Sequence, residues 1–378
     1  MPPDTATLEA PPVAAPHAVA AEACRGLTST PKSLAPWLFY DAPGSSLFEQ
    51  ITTLPEYYLT RTERTLFATH ADEIFHLVMS STDNLQPATC NSPITIAELG
   101  AGTASKTGIL LRALTRLQTG SPASGPGSLG RKPHVLYQPI DISPTALDQA
   151  RASIERSIPG VTVHPRVANY ITDTVRIERP PHARILTLYI GSSIGNFSPA
   201  EARAILARLR SELDPGDALL LGVDLAPSPR KPISTLLAAY NDAAGVTAAF
   251  NRNVLTRLNR ELGANFNLSR FTHRAIWNAA HSRIEMHLES AGAQTVHIPA
   301  SSAGANGSAA TNRSASANGP AGPGLTLHFT PGETIHTENS YKFKPAAIAA
   351  LLADARFAPT RTFTDPGSLF AVTLATAI

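Results

Sequence analysis

The chain has 378 residues, of which 43% are hydrophobic and 16% charged, with a formal net charge of +2. At about one domain per 150 residues that length suggests two structural units, with enough apolar material for a real core. The near-neutral balance argues against a nucleic acid or an anionic membrane as partner, no run of about 18 apolar residues reads as a membrane span, and the N-terminus lacks the basic and apolar regions of a secretory signal.

Cys24 and Cys90 stand outside any motif, so a disulfide framework is not expected and a reducing cytoplasm is the expected compartment. Among the scattered histidines, His281/His287 and His328/His336 could suggest metal ligands. With no H-E-x-x-H and no Cys/His pairing, no metal site is expected.

Residues 5–21 are rich in Ala and Pro and read as a loose tail. A helical, loop-rich portion then runs to about residue 92. From there the pattern alternates. Residues 94–97 form a short apolar strand ending in Glu98-Leu99-Gly100-Ala101-Gly102, and residues 106–117 carry a helical stripe. A second strand spans 135–141, a helix 144–158, a third strand 161–167, and a fourth strand 185–190 that is continuously apolar and so buried on both faces. A helix over 201–213 and a fifth strand over 218–223 follow. The end of the chain adds a helix at 345–355 and strands at 360–364 and 369–376. This is an α/β chain with a parallel, doubly wound sheet, closed by an antiparallel hairpin in the order of class I S-adenosylmethionine (SAM) methyltransferases. Residues 120–130 and 301–324 are low in complexity and read as surface loops.

The expected division has a tail at 1–24. Residues 25–60 and 227–340 make a substrate-binding lid. Residues 61–226 and 341–378 make the Rossmann-like, SAM-binding domain. Ligands of such sheets bind at the carboxyl ends of the strands, where the lid would sit.

Glu98–Thr103 lies between a strand and a helix, where glycines let the backbone approach a ligand. NAD sites look similar. The opening acid, the missing third glycine and Asp141, placed for a ribose diol, favour SAM. Asn169 and Tyr170 close the third strand, where an amide and a ring suit adenine; a plain strand-end turn is an equal reading. Gly191 to Pro199 follow the fourth strand beside the expected sulfonium. Asn196 there offers a donor and an acceptor, and Ser198 with Pro199 can start the next helix. Glu338 and Ser340 are two apart, so an extended segment points both side chains the same way.

Several segments together resemble the histidine Nα-methyltransferases that form hercynine in ergothioneine biosynthesis. They include Pro31-Lys32-Ser33-Leu34, Phe39-Tyr40-Asp41, Leu54-Pro55-Glu56-Tyr57-Tyr58, Glu98–Thr107, Gly191–Phe197, Tyr240–Asn251, Arg283-Ile284-Glu285-Met286 and Thr337-Glu338-Asn339-Ser340. The resemblance covers residues 25–378 apart from the two low-complexity loops. It implies that Gly100, Lys106, Asp141, Asn169 and Tyr170 contact SAM, with Tyr40 and Phe48 nearby. It implies that Tyr57, Gly191, Asn196, Tyr240, Glu338 and Ser340 bind histidine in a pocket lined by Met286. Tyr57 and Asn196 are the expected catalytic residues, with Tyr57 as a polar or proton-relay contact. Asn196 and Tyr240 would hold the amino acid's head group, and Glu338 with Ser340 would grip the imidazole. Asn169 stands where the family often has Asp, and Leu59 where it often has Pro. The implied activity is SAM-dependent trimethylation of L-histidine by a monomer. The alternatives are another amino acid as acceptor, a prenylated tryptophan in particular, and a SAM-binding protein without catalysis. A buried Glu338 would match an apolar prenyl-indole poorly.

Overall fold

The computed structural model describes residues 16–80, 93–119, 135–300 and 324–378. Residues 1–15, the expected loop at 120–130 and all but the last residue of the expected loop at 301–324 lie outside them.

The described chain opens with α1 (Pro16–Leu27), β1 (Lys32–Ser33), α2 (Ala42–Thr53) and α3 (Tyr58–Ser80). The expected tail over 1–24 is therefore corrected for residues 16–24. Val19, Ala23 and Leu27, four apart on one helical face, are all buried, and α1 packs against a later helix. Alanine-rich sequence there serves helix formation, not disorder.

The sheet domain follows as β2 (Ile94–Leu99), α4 (Thr107–Thr119), β3 (Val135–Asp141), α5 (Pro144–Ser157), β4 (Val161–Val163), β5 (Arg166–Val167), β6 (Arg184–Tyr189), α6 (Pro199–Ser211) and β7 (Ala218–Asp224). The expected third strand is two short pieces flanking Pro165, which has no N–H to give the ladder. All residues of β2, β6 and β7 are buried. Alternate side chains feed two separate cores. Ile94, Ile96, Leu186, Leu188 and Leu220 join one, and Ala97, Leu99, Ile185, Tyr189, Leu219 and Leu221 the other.

Next come α7 (Ile233–Ala239), α8 (Val246–Leu262), β8 (Phe271–Asn278), β9 (Arg283–Ser290), β10 (Gln294–Ile298), β11 (Leu325–Phe329) and β12 (Thr334–Tyr341). The chain returns to the first sheet through α9 (Pro345–Asp354), β13 (Phe357–Thr364) and β14 (Phe370–Ala377).

The large sheet runs β13-β14-β7-β6-β2-β3-β4, with β5 also on β3. Strands β2 to β7 pair in parallel, while β14 is antiparallel to β7 and β13 to β14. This is the class I SAM-methyltransferase order, including the expected terminal hairpin. A second sheet runs β1-β12-β9-β8, and β10 pairs with β11 as a separate ribbon. Helix α8 covers β8 and β9, with α1 and α2 packed on it. The turn Ser193–Asn196 after β6 packs against β12, so one strand of the second sheet stands over the carboxyl end of the first.

Candidate active site

The cleft between the sheets begins at the glycine turn. Gly100 N and Ala101 N donate to the Ile140 carbonyl at 2.8 and 3.2 Å, tying the end of β2 to the end of β3. Asp141 closes β3 and accepts from Gly102 N and Ser143 N, both at 2.9 Å. Burial still pushes its carboxyl above the usual range. Tyr170 lies against Gly100 and meets Tyr189 edge-on at 5.6 Å between ring centres. The Asn169 side-chain oxygen accepts from Ile171 N at 3.1 Å, so the strand-end turn is real. The amide nitrogen is the group this turn does not use. Glu98 points into the protein, where Thr107 and Tyr137 donate to it at 2.6 and 2.5 Å. Burial pushes its carboxyl up to about 7.

Lys106 does not stand alone in the cleft. Its ammonium lies 2.5 Å from Glu63 of α3, and the other Glu63 oxygen accepts from Gly191 N at 2.8 Å. Glu63 is fully buried. It occupies the space beside Gly222, where a Cβ would stand 2.2 Å from Glu63 Oε1. Gly191 has φ +75°, and a Cβ there would meet Lys106 Nζ at 2.9 Å, so glycine is required twice over. The sequence reading missed Glu63. Its signal was an acid on the apolar stripe of α3, between Leu59 and Leu66, both buried.

The turn after β6 carries Asn196, half-buried at the cleft. Ser198 caps α6 with Glu201 reciprocating and Pro199 in the first turn, as expected, which leaves the Asn196 side chain out of the capping.

An aromatic wall closes the other side. Tyr40 meets Phe48 at 5.8 Å, Phe48 meets Tyr57 at 6.4 Å, and Tyr57 meets Tyr240 at 6.3 Å between ring centres. Burial, then the charge of Glu338, holds the Tyr40 hydroxyl well above its ordinary pKa; Asp141 and Tyr170 also act on it. Tyr40 also meets Phe250 of α8 edge-on at 5.9 Å between ring centres. Burial, then Tyr240 and Glu338, raises Tyr57 in the same way. Both phenols are neutral at physiological pH.

At the far end β12 presents Glu338 and Ser340 on one face, paired in register with Met286 and Ile284 of β9. Burial pushes the Glu338 carboxyl up to about 7, with Lys342 drawing it back. Met286 is buried beside it. Tyr240 follows the last turn of α7, and its hydroxyl lies 2.6 Å from Ser340 Oγ. That contact groups Tyr240 with Ser340, the expected imidazole end, and not with Asn196, beside which the head-group role was expected of it.

Beneath this pair lies a charged group that the sequence reading missed. Lys342 donates to Tyr240 Oη at 2.9 Å and to Ser340 Oγ at 2.8 Å, and its ammonium lies 2.7 Å from Asp224. Asp224 also accepts from Lys231 at 2.5 Å and from Tyr58 at 2.9 Å. Lys342 extends the alternation 338, 340, 342 into the interior, and that spacing was its signal.

The histidines behave differently from the expected pairs. His287 stacks on His336 at 4.9 Å, beside Glu285, on the opposite face of β9 and β12 from Glu338. These donors are close enough to share a metal ion. Glu285 is instead held by Arg283 at 2.5 Å and Asn278 at 2.8 Å, which pull its carboxyl down to about 2 against burial. His336 Nε2 lies 3.0 Å from the Glu338 carbonyl. The cluster lies behind the pocket wall, with His287 Nε2 3.1 Å from Glu285 and His287 Nδ1 buried without a hydrogen-bond partner among the described residues.

Among relatives, the histidine N-alpha-methyltransferase of Mycolicibacterium smegmatis is 39% identical over 94% of this chain and 95% of its own. The enzyme of the same name from Mycobacterium tuberculosis is 37% identical over 93% of this chain and 92% of its own. Ergothioneine biosynthesis protein 1 of Neurospora crassa is 30% identical over 62% of this chain and 23% of its own. Residues 19–377 match the family described as histidine-specific, SAM-dependent methyltransferases. With its sheet order and its cleft in agreement, the chain belongs to the histidine-specific, SAM-dependent methyltransferase family.

Proposed function

We propose that this cleft transfers methyl groups from SAM to the α-amine of free L-histidine, forming hercynine, the trimethylated amino acid. The chain is a SAM-dependent histidine methyltransferase by family. The observation that carries the acceptor assignment is Glu338 and Ser340, side by side on β12 and facing the aromatic wall of the same cleft.

The residues fit SAM. The turn Gly100–Gly102 leaves open space, and Tyr170 covers it as an adenine-sized ring platform. Asp141 keeps lone pairs for a ribose diol after accepting two backbone N–H groups. Lys106, fixed by Glu63, suits the amino-acid end of the molecule. Asn169 and Tyr170 take the base, with Tyr40 and Phe48 against the cleft. SAM supplies an electrophilic methyl group on a sulfonium.

The protein's task is then to hold a neutral amine in line with that methyl. A free α-amine has a pKa near ~8, so losing its proton at neutral pH costs little and no strong base is needed. Positioning supplies most of the acceleration. Asn196 and the Gly191 turn hold the amine and carboxylate. Tyr57 stays protonated, so it serves as a hydrogen-bonding relay and not as a phenolate base. Glu338 accepts the ring N–H, and the Ser340–Tyr240 hydroxyls meet the other ring nitrogen. Met286 fills the wall beside them. The second sheet and its helices act as the lid, and the enzyme works as a cytoplasmic monomer.

The test is incubation of the purified protein with SAM and a panel of free amino acids, read by mass spectrometry. Histidine should gain three methyl groups. Methylation of tryptophan but not histidine, or SAM binding without any product, would refute the assignment.

A further inference from the structure

Proton accounting at Lys342 goes beyond the placement of Glu338 and Ser340. The Lys342 side chain is fully buried. An ammonium has three N–H donors and no acceptor. All three are spent: on Asp224 Oδ2 at 2.7 Å, on Tyr240 Oη at 2.9 Å and on Ser340 Oγ at 2.8 Å. Lys231 at 2.5 Å and Tyr58 at 2.9 Å hold Asp224 in place.

Tyr240 and Ser340 have two hydroxyl protons between them, and one is spent on their mutual 2.6 Å bond. If Tyr240 donates, Ser340 Oγ accepts from Tyr240 and from Lys342, its lone pairs are full, and its own proton must go elsewhere. If Ser340 donates, the same holds for Tyr240. In both arrangements one oxygen has no accepting capacity left and one proton to give, while the other keeps a single lone pair. Glu338, two residues before Ser340 on the same face, places that proton at the pocket end assigned to the ring.

We propose that Lys342 is a specificity-determining positioning residue. It fills a lone pair on each hydroxyl of the Tyr240–Ser340 pair, so one of the two can only donate, and the pocket end favours a ring with one bare nitrogen as well as one N–H. This rests on the histidine reading above. An acceptor ring that lacks the bare nitrogen leaves the donor unsatisfied, and a site built to hydrogen-bond a group rejects the analogue without it.

The experiment compares L-histidine with the two pyrrolylalanine isomers, in each of which CH replaces one imidazole nitrogen. Both keep an N–H and neither can accept. The wild-type protein should prefer histidine in kcat/KM by about 10- to 100-fold, from the unsatisfied donor. In Lys342→Met the hydroxyl pair is free to turn a lone pair into the pocket, and the preference should shrink to about threefold or less. Asp224 keeps Lys231 and Tyr58 in that variant, and SAM affinity by calorimetry reports its folding. Equal losses for histidine and for the pyrrolylalanines mark a merely structural role and overturn the proposal. Wild-type turnover of either pyrrolylalanine as fast as histidine overturns it without any variant. Absence of histidine methylation by the wild-type protein sinks the histidine reading itself, whereas good histidine turnover with an unchanged preference in Lys342→Met sinks this proposal alone.

Discussion

Glu338→Gln should make the protein a poorer enzyme and, at high pH, a more stable fold. The Glu338 carboxyl sits near 7 in the folded protein against an ordinary 4.5, because burial disfavours its charge. Between those values the folded state holds a proton that the unfolded chain has released, so stability falls as pH rises through the window. At 1.36 kcal/mol per unit the full loss is on the order of 3 kcal/mol. Glutamine carries no such penalty. The stability of the variant relative to wild type should therefore improve by about that amount between pH 4.5 and pH 8, as measured by urea unfolding at both. Catalysis should move the other way. A charge-assisted bond to the ring N–H (~1.5–3 kcal/mol) becomes a neutral one (~0.5–1.5 kcal/mol), so histidine kcat/KM should drop about tenfold at pH 8. In wild type, kcat/KM should also rise between pH 6 and 8 as Glu338 ionises. The substrate titrates in this range too, so the part of the rise that Glu338→Gln removes is the part owed to Glu338. A stability difference that is the same at both pH values, or unchanged histidine kinetics, would refute the reasoning.

Asn196→Ala should lower histidine kcat/KM by about 10- to 100-fold through loss of a positioned hydrogen bond (~1.5–3 kcal/mol), while calorimetry shows SAM binding retained; equal weakening of SAM would place Asn196 elsewhere. Gly222→Ala should destabilise the fold by about 1–3 kcal/mol in denaturant, because its Cβ would meet Glu63 Oε1 at 2.2 Å. Adding Glu63→Ala to that variant should cost less than Glu63→Ala alone, and strict additivity in this cycle would show the two sites to be independent. Val19→Ala should cost about 1.5–3 kcal/mol if α1 is part of the packed core, and a cost near zero would return residues 16–24 to the tail.

Much of the fold was legible in the residues themselves. The continuous apolar runs of β2, β6 and β7 announced strands covered on both faces, and the helix and two strands after residue 345 announced the closing hairpin. Period-2 spacing placed Glu338 and Ser340 on one face, and the Ser198–Pro199 cap was a local signature. These depend on near neighbours along the chain, where backbone geometry dictates which side chains share a face. The sequence did not reveal what Glu63, Asp224, Lys231 and Lys342 do. An acid in a helix or a lysine after a strand reads as solvated surface until its partner is known, and the partners lie far along the chain. Glu63 meets Lys106 and Gly191, and Lys342 meets Asp224 and Tyr240. The sequence by itself determined the sheet and its order. Only the tertiary structure decided which buried charges stand behind the cleft. Pairing between distant segments, not local pattern, makes a buried charge affordable and fixes where its protons point.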